Sequence, residues 1–282
     1  MALMSLSEAI RLHVKDGMSV ALEGFTHLIP FAAGHEIIRQ GIRGLHLIRM
    51  TPDLIYDQMI GAGVADRLTF SWGGNPGVGS LHRLRDAVEN GWPVKLEIFE
   101  HSHGEMAAAY TAGAARLPFA VMKGHSDNDL AAHQSGRTTK MDCPFTGASV
   151  TAVRAVNPDV TILHAQKADR AGNVLIEGIV GAVKEAAFAA GKVIATVEQV
   201  VDDLGAEKNA VILPHFLVSA VACVPGGAYP SYAMGHYDRD NSFYIAWDDI
   251  ARDREGFTDW IAAHVTGVAD HRAFLEKLGV VA

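Results

Sequence analysis

The residues whose types and spacing best suit chemistry are His101-Ser102-His103-Gly104-Glu105. They follow an alternating run, Val94 to Phe99, that reads as a strand, and they lead into a small-residue stretch to about Ala115 that reads as a helix. Glu105 is thereby set where a strand hands over to a helix, beside Met106 and a row of alanines. A carboxylate there can act as a base or nucleophile, and open α/β folds place ligand sites at such junctions. The same spacing also spells a capping box, in which Ser102 caps the helix and Glu105 reaches back to the Ser102 N–H.

The glycine-rich run Gly73 to Ser80 also lies between a strand and a helix, with His82, Arg83 and Arg85 behind it. Backbone N–H groups at a helix start can cradle a pyrophosphate or an oxyanion. The run lacks the Gly-Lys-Ser/Thr of a P-loop and the Gly-x-Gly-x-x-Gly fingerprint, so a tight crossover turn is the competing reading. Fourteen histidines raise the question of a metal. His101-x-His103 ends a strand, while His125 and His133 fall in a polar loop. No spacing resembles His-Glu-x-x-His, and no metal site is expected. Asp169-Arg170-Ala171-Gly172-Asn173 supplies what a hairpin turn requires and is read as one.

These residues need a scaffold. Helices are expected over Ser5–Val14, His35–Gln40, Leu54–Gly61, Leu81–Glu89 and Gly181–Ala190. Strands are expected over Met18–Leu22, Leu45–Met50, Leu68–Trp72, Phe119–Met122, Thr161–Gln166, Val174–Gly178, Val193–Val197, Val211–Leu213 and Val218–Val224. Short apolar strands alternating with helices predict an α/β fold with a mostly parallel central sheet flanked by helices. Residues 123–144 read as polar and irregular. From Tyr229 onward the chain carries 9 of its 21 aromatic residues, with helices expected from Asp248 and again from Asp270. So aromatic a tail is expected to cover the core or to meet another subunit. The expected division is residues 1–228 as the α/β domain and 229–282 as a partly helical extension.

Of 282 residues, 49% are hydrophobic and only 20% charged, which allows a sizeable core. A net charge of −8 with no basic run argues against nucleic acid. No apolar stretch is long enough for a membrane span, and no signal peptide is read at the N-terminus. Cys143 and Cys223 form neither a disulfide framework nor a Cys-x-x-Cys pair, in keeping with a cytoplasmic setting.

Several segments, taken in order, resemble the alpha subunit of the class I coenzyme A transferases. They are Asp16-Gly17-Met18-Ser19-Val20, Gly24-Phe25 with Pro30, Gly104 to Pro118, Ala168-Asp169-x-x-Gly172-Asn173, Lys192 to Glu198, and Ile212-x-Pro214 with Val218. The resemblance implies a homologous beta subunit, an α2β2 assembly and an active site between subunits, with the catalytic glutamate on the beta chain. It implies that Glu23-Gly24-Phe25 faces that site, and that CoA enters within the substrate, with no other cofactor. Two departures stand out. Glu23 replaces a glycine, and Glu105 follows Gly104 where threonine is common. With the tail Tyr229 to Asp248, these departures resemble one branch, the hydrolases that open the last carbocycle of a degraded steroid held as a CoA thioester. That branch implies water-dependent retro-Claisen cleavage with Glu105 as base, and Gly24, Phe25, Gly74, Asn75 and Gly104 around substrate or oxyanion. An ordinary 3-oxoacid or glutaconate CoA transferase subunit is the alternative.

Overall fold

A computed structural model describes residues 2–124, 130, 136–205 and 209–280. His125 and His133 lie outside them. The first half runs β1 (Ala2–Leu3), α1 (Leu6–His13), β2 (Ser19–Glu23), α2 (Phe31–Arg39), β3 (Leu45–Ile48), α3 (Leu54–Gly61), β4 (Ala65–Phe70), α4 (His82–Glu89), β5 (Glu97–Glu100) and α5 (His103–Ala114). A three-stranded antiparallel sheet follows, from β6 (Phe119–Met122), β7 (Thr138–Asp142) and β8 (Ser149–Arg154), in the order β6-β8-β7. The chain then returns through β9 (Val160–Asp169), β10 (Val174–Ile176), α6 (Val183–Ala189), β11 (Lys192–Val201), β12 (Val211–Leu213) and β13 (Ala220–Cys223). It closes with α7 (Asn241–Arg252), α8 (Arg254–Ile261) and α9 (His271–Lys277).

The central sheet has the order β1-β13-β11-β9-β2-β3-β4-β5 along its path, and every neighbour on that path is parallel. Off that path, β10 pairs antiparallel with β9 and with β12. The fold class expected from the sequence is the one observed. The hairpin at 169–173 is also present: Asp169 Oδ1 accepts from the N–H groups of Gly172 and Asn173 at 2.7 and 2.8 Å.

Alternation on the strands assigns their faces. Leu45, Leu47 and Leu68 pack with α2 and α3 in the main core, while Ala21 and Ile48 meet Met106 and Tyr110 of α5 on the other side. The aromatic tail belongs to the main core: Tyr244, Trp247, Phe257, Trp260 and Phe274 are buried among the α2 and α3 side chains. Trp247 Nε1 donates to Asp57 Oδ2 at 3.0 Å, which ties α7 to α3. Among the described residues, no helix is long and apolar enough to cross a membrane.

Three expectations on elements shift. The 123–144 region holds a strand, β7, whose Thr-Thr-Lys-Met-Asp sequence has no apolar alternation because it edges the small sheet and stays largely exposed. Strand β8, between 149 and 154, adds to the expected set. Helix α2 starts at Phe31 rather than His35; its residues are buried from Phe31 through Ile38, so no polar face marks its start.

Buried histidines give the fold an acid-side weakness. His271 is 3% exposed and its Nε2–H donates to the Gly226 carbonyl at 2.8 Å. Burial pushes its pKa down to about 4, so the unfolded chain binds this proton first as pH falls from about 6.5 toward 4. Stability contributed by neutral His271 is present above that window and lost within it. The His271→Gln variant should therefore lose less stability than the parent between pH 7 and pH 5, by about 1–2 kcal/mol. Denaturant unfolding at the two pH values measures this; equal pH sensitivity in both proteins would contradict it.

Candidate functional site

Four parallel strands end at the same edge of the sheet, and each hands over to a helix there. The four junctions are 24–30 after β2, 49–53 after β3, 71–81 after β4 and 101–102 after β5. They surround one cavity of about 300 Å³, lined by Phe25, Thr26, Arg49, Thr51, Asp53, Trp72, Pro76 and His103. The first three junctions supply wall residues directly, and the fourth supplies His103, the residue that follows it. Ligand sites in parallel sheets belong at this edge.

The Gly24–Pro30 loop is held in a conformation side chains rarely take. Thr26 and Leu28 have φ of 57° and 53°, a region that is costly for a β-branched residue. The surroundings impose it: Ser231 Oγ donates to the Thr26 carbonyl at 2.9 Å, the Leu28 N–H donates to the Tyr232 carbonyl at 2.9 Å, and buried His27 accepts from the Met234 N–H at 3.1 Å. Such over-determined strain clusters at functional sites. Gly24 is required by close approach, since a Cβ would stand 2.7 Å from the Leu28 carbonyl oxygen and 2.9 Å from that of His27.

Beneath the loop lies a buried charge cluster. Arg49 is 1% exposed; it pairs with Asp53 at 2.9 Å and donates to the Gly24 carbonyl at 2.7 Å. Burial opposes the Arg49 charge, but Asp53, Tyr56 and Glu23 around it prevail and raise its pKa. Burial also raises the pKa of Glu23 and of Asp53, with Arg49 pulling both down. Glu23 accepts from Tyr110 Oη at 2.6 Å and from the Met50 N–H at 3.2 Å. Arg49 thus anchors the loop through its carbonyl and compensates two carboxylates. Neither Arg49 nor Asp53 stands out in the sequence, although an i, i+4 charge pair closing an apolar strand is the available signal.

The expected site residues divide. Phe25 lines the cavity. The Gly24 N–H is directed at the Glu23 carboxylate. Gly74 and Asn75 stand beside the cavity between wall residues Trp72 and Pro76, but their N–H groups donate to Pro52 and Gly79 at 3.2 and 2.8 Å. The Asn75 amide donates to the Tyr244 carbonyl at 2.8 Å. These two residues therefore shape the wall, and Gly74 leaves room for the Trp72 ring, 2.8 Å from where its Cβ would be. Gly104 follows His103 in the first turn of α5 and is not among the wall residues.

Glu105 is 2% exposed and completes the capping box. Its Oε2 accepts from the Ser102 N–H at 2.7 Å, and its own N–H donates to Ser102 Oγ at 3.2 Å. It is not among the cavity's wall residues. Glutamine serves in a capping box too, so Glu105→Gln should retain activity within a few-fold, while Glu105→Ala should lower stability by about 1 kcal/mol. Thermal melts and turnover of the two variants check this. Activity lost by orders of magnitude in Glu105→Gln alone would show that the carboxylate does chemistry. Among the described residues, no group of three or more His, Cys, Asp or Glu side chains is disposed to hold a metal.

The sequence pattern of the family described as "Coenzyme A transferase" matches residues 3–223. The chain is 60% identical, over 98% of both chains, to a subunit of the 3-oxoadipate CoA-transferase of Pseudomonas knackmussii. Among solved structures, glutaconate coenzyme A-transferase from Acidaminococcus fermentans superposes with a TM-score of 0.92 at 30% identity, covering 99% of this chain and 93% of the other. A variant of the decarboxylase AibA/AibB superposes at 0.80 and 30%, covering 93% and 98%.

These findings overturn the steroid-ring hydrolase expectation. Likeness to the cholesterol ring-cleaving hydrolase IpdA subunit of Rhodococcus jostii is 25% over 65% of the chain, against 60% over nearly all of it for a transferase subunit. Two of the features that suggest the hydrolase branch have structural explanations. Glu105 caps its helix, and the tail aromatics fill the core. No basis is left for carbon–carbon hydrolysis or steroid catabolism. The chain belongs to the coenzyme A transferase family.

Proposed function

We propose that this chain is the alpha subunit of a CoA transferase that moves coenzyme A between short dicarboxylic acids, 3-oxoadipate among them. The full-length 60% identity to a 3-oxoadipate CoA-transferase subunit supports the reading. So does a cavity of about 300 Å³ walled from a single edge of the sheet, which a second subunit would complete. The beta subunit supplies the nucleophilic carboxylate, the two chains assemble as α2β2 in the cytoplasm, and CoA arrives as part of the substrate with no further cofactor.

In the reaction, the beta-chain carboxylate attacks the thioester carbonyl and expels CoA as the thiolate, leaving an acyl anhydride. The thiolate attacks the enzyme-side carbonyl of that anhydride, which frees the donor acid and leaves an enzyme–CoA thioester. The acceptor carboxylate then repeats the two steps in reverse, which yields the acceptor's CoA thioester and restores the enzyme carboxylate. Negative charge develops on the carbonyl oxygen at each step and must meet fixed N–H donors. The Gly24-Phe25 backbone is this chain's contribution, with Phe25 N–H as the donor. The strained loop and the Arg49 anchor hold that donor in place before substrate arrives. Glu105 and Gly104 act as positioning residues: the capped first turn of α5 keeps His103 on the wall. Gly74 and Asn75 keep Trp72 and Pro76 there.

The test is to purify the chain together with its beta partner, add an acyl-CoA donor without acceptor, and weigh both chains intact. A CoA adduct is expected on the beta chain and none on this one. An adduct on this chain would overturn the division of labour proposed here.

A further inference from the structure

The turn entering α5 borders two cavities. His103 lines the one described above; His101 lines a second, of about 210 Å³, on the sheet face shared with α5. This second cavity is bounded by His46 of β3, Thr69 of β4, His101, Arg137, Arg154 of β8 and Asn157. It is smaller than the usual pocket for a drug-sized molecule, and its volume suits a small ion or acid.

Its chemistry is one-sided. Arg137 stacks over the Phe99 ring, 3.5 Å from its centre, and reaches Thr69 Oγ1 at 3.5 Å. Arg154 stands close enough to help depress the charge on Arg137, which burial already opposes. His46 Nε2 lies 2.8 Å from Thr69 Oγ1. His101 is 2% exposed, and neither ring nitrogen has a hydrogen-bond partner. A buried polar group left unpaired costs about 1–3 kcal/mol, and native structures rarely leave one without cause. Of the acids nearby, Asp159 already accepts from the Ser19 N–H and Oγ at 2.8 Å, Asp66 pairs with Arg67 at 3.0 Å, and Glu105 caps Ser102. Glu97 is the acid that adds its field at Arg137.

We propose that this cavity is an anion site, separate from the transferase cavity, that takes a small oxyanion, either a phosphate or the carboxylate of a short acid. Arg137 and Arg154 would present their planar forks to the oxygens, and His101 would turn an unpaired ring N–H toward them. Burial holds His101 near pKa 4, with Glu105 pulling up and Arg137 down. A bound anion would raise that value and draw a proton onto the ring.

Titration calorimetry on the purified two-chain complex, at fixed ionic strength in chloride, tests this with two probes that are not dicarboxylic acids: inorganic phosphate and acetate. Binding at or below millimolar concentration is expected for at least one probe; phosphate alone identifies a tetrahedral ligand, and acetate alone identifies a carboxylate. Arg137→Gln and His101→Phe should each weaken it at least ten-fold. Arg154→Gln, at an exposed position that keeps the fold safe, should weaken it several-fold, and Gly24→Ala should leave it unchanged. Absence of binding by both probes would overturn the proposal, as would binding that ignores Arg154→Gln but is lost in Gly24→Ala.

Discussion

Replacing Arg49 by methionine should lower the thermal midpoint by roughly 10 °C and remove most of the proposed transfer activity. Arg49 is buried, and two carboxylates lean on it, Asp53 at 2.9 Å and Glu23 through its field. Removing one partner of a buried pair leaves uncompensated charge and costs about 3–5 kcal/mol; for a chain of this size each kcal/mol is about 2–4 °C. The loss has a pH signature. Without Arg49 the folded-state pKa values of Asp53 and Glu23 rise further above their unfolded values, so the folded protein holds protons that the unfolded chain releases. Stability of the variant then falls as pH rises through the acid range toward neutrality, and its deficit is larger at pH 8 than at pH 5. The double variant Arg49→Met/Asp53→Leu should recover part of the loss, a coupling that a thermodynamic cycle isolates. Activity falls as well, because the Gly24 carbonyl loses its 2.7 Å tether. An Arg49→Met protein with parental stability and rate would show that the cluster neither supports the fold nor holds the loop.

The second large effect is at Gly24. Alanine there puts a Cβ 2.7 Å from one carbonyl oxygen and 2.9 Å from both another and the Ile29 Cα. All three are backbone atoms, so no side-chain rotation can relieve the contact. The Thr26 and Leu28 backbone is already confined to positive φ, and the loop moves as a unit by some tenths of an ångström. A misplacement approaching about 1 Å at a reacting centre costs about 100-fold in rate, and contacts at 2.7–2.9 Å against fixed backbone push the donor toward that scale, while stability falls by only about 1–3 kcal/mol. Turnover of Gly24→Ala should therefore drop by about two orders of magnitude in a complex that still assembles and melts cooperatively. Parental turnover would remove the loop from the chemistry.

The parallel sheet is legible because Val20 to Leu22, Leu45 to Ile48 and Ile162 to Ala165 are short apolar runs punctuated by helices, the pattern of strands covered on both faces. Strand β7 is not legible, because an exposed edge strand needs no apolar side. At the site, Gly24 and Phe25 are visible because glycine at a strand end signals close backbone approach. Arg49 and Asp53 escape notice because charges flanking a helix start ordinarily face water; here tertiary packing buries them. Glu105 shows where pattern reading stops. Ser-x-x-Glu serves capping and catalysis equally well in sequence; the 2.7 Å bond to the Ser102 N–H shows the cap, and turnover of Glu105→Gln decides the rest. The family is legible in the order of many weak segments, whereas the branch rested on two departures and on tail aromatics whose work is in the core.

Group transfer across an interface walled by the four strand ends has a simple mass balance. The most direct measurement follows a dicarboxylyl-CoA donor by mass spectrometry in the two-chain complex, with and without 3-oxoadipate. Transfer predicts that, beyond one equivalent per active site, donor disappears only when acceptor is present and that 3-oxoadipyl-CoA forms mole for mole, with no free CoA accumulating. Steady release of free CoA in the absence of any acceptor acid would contradict it.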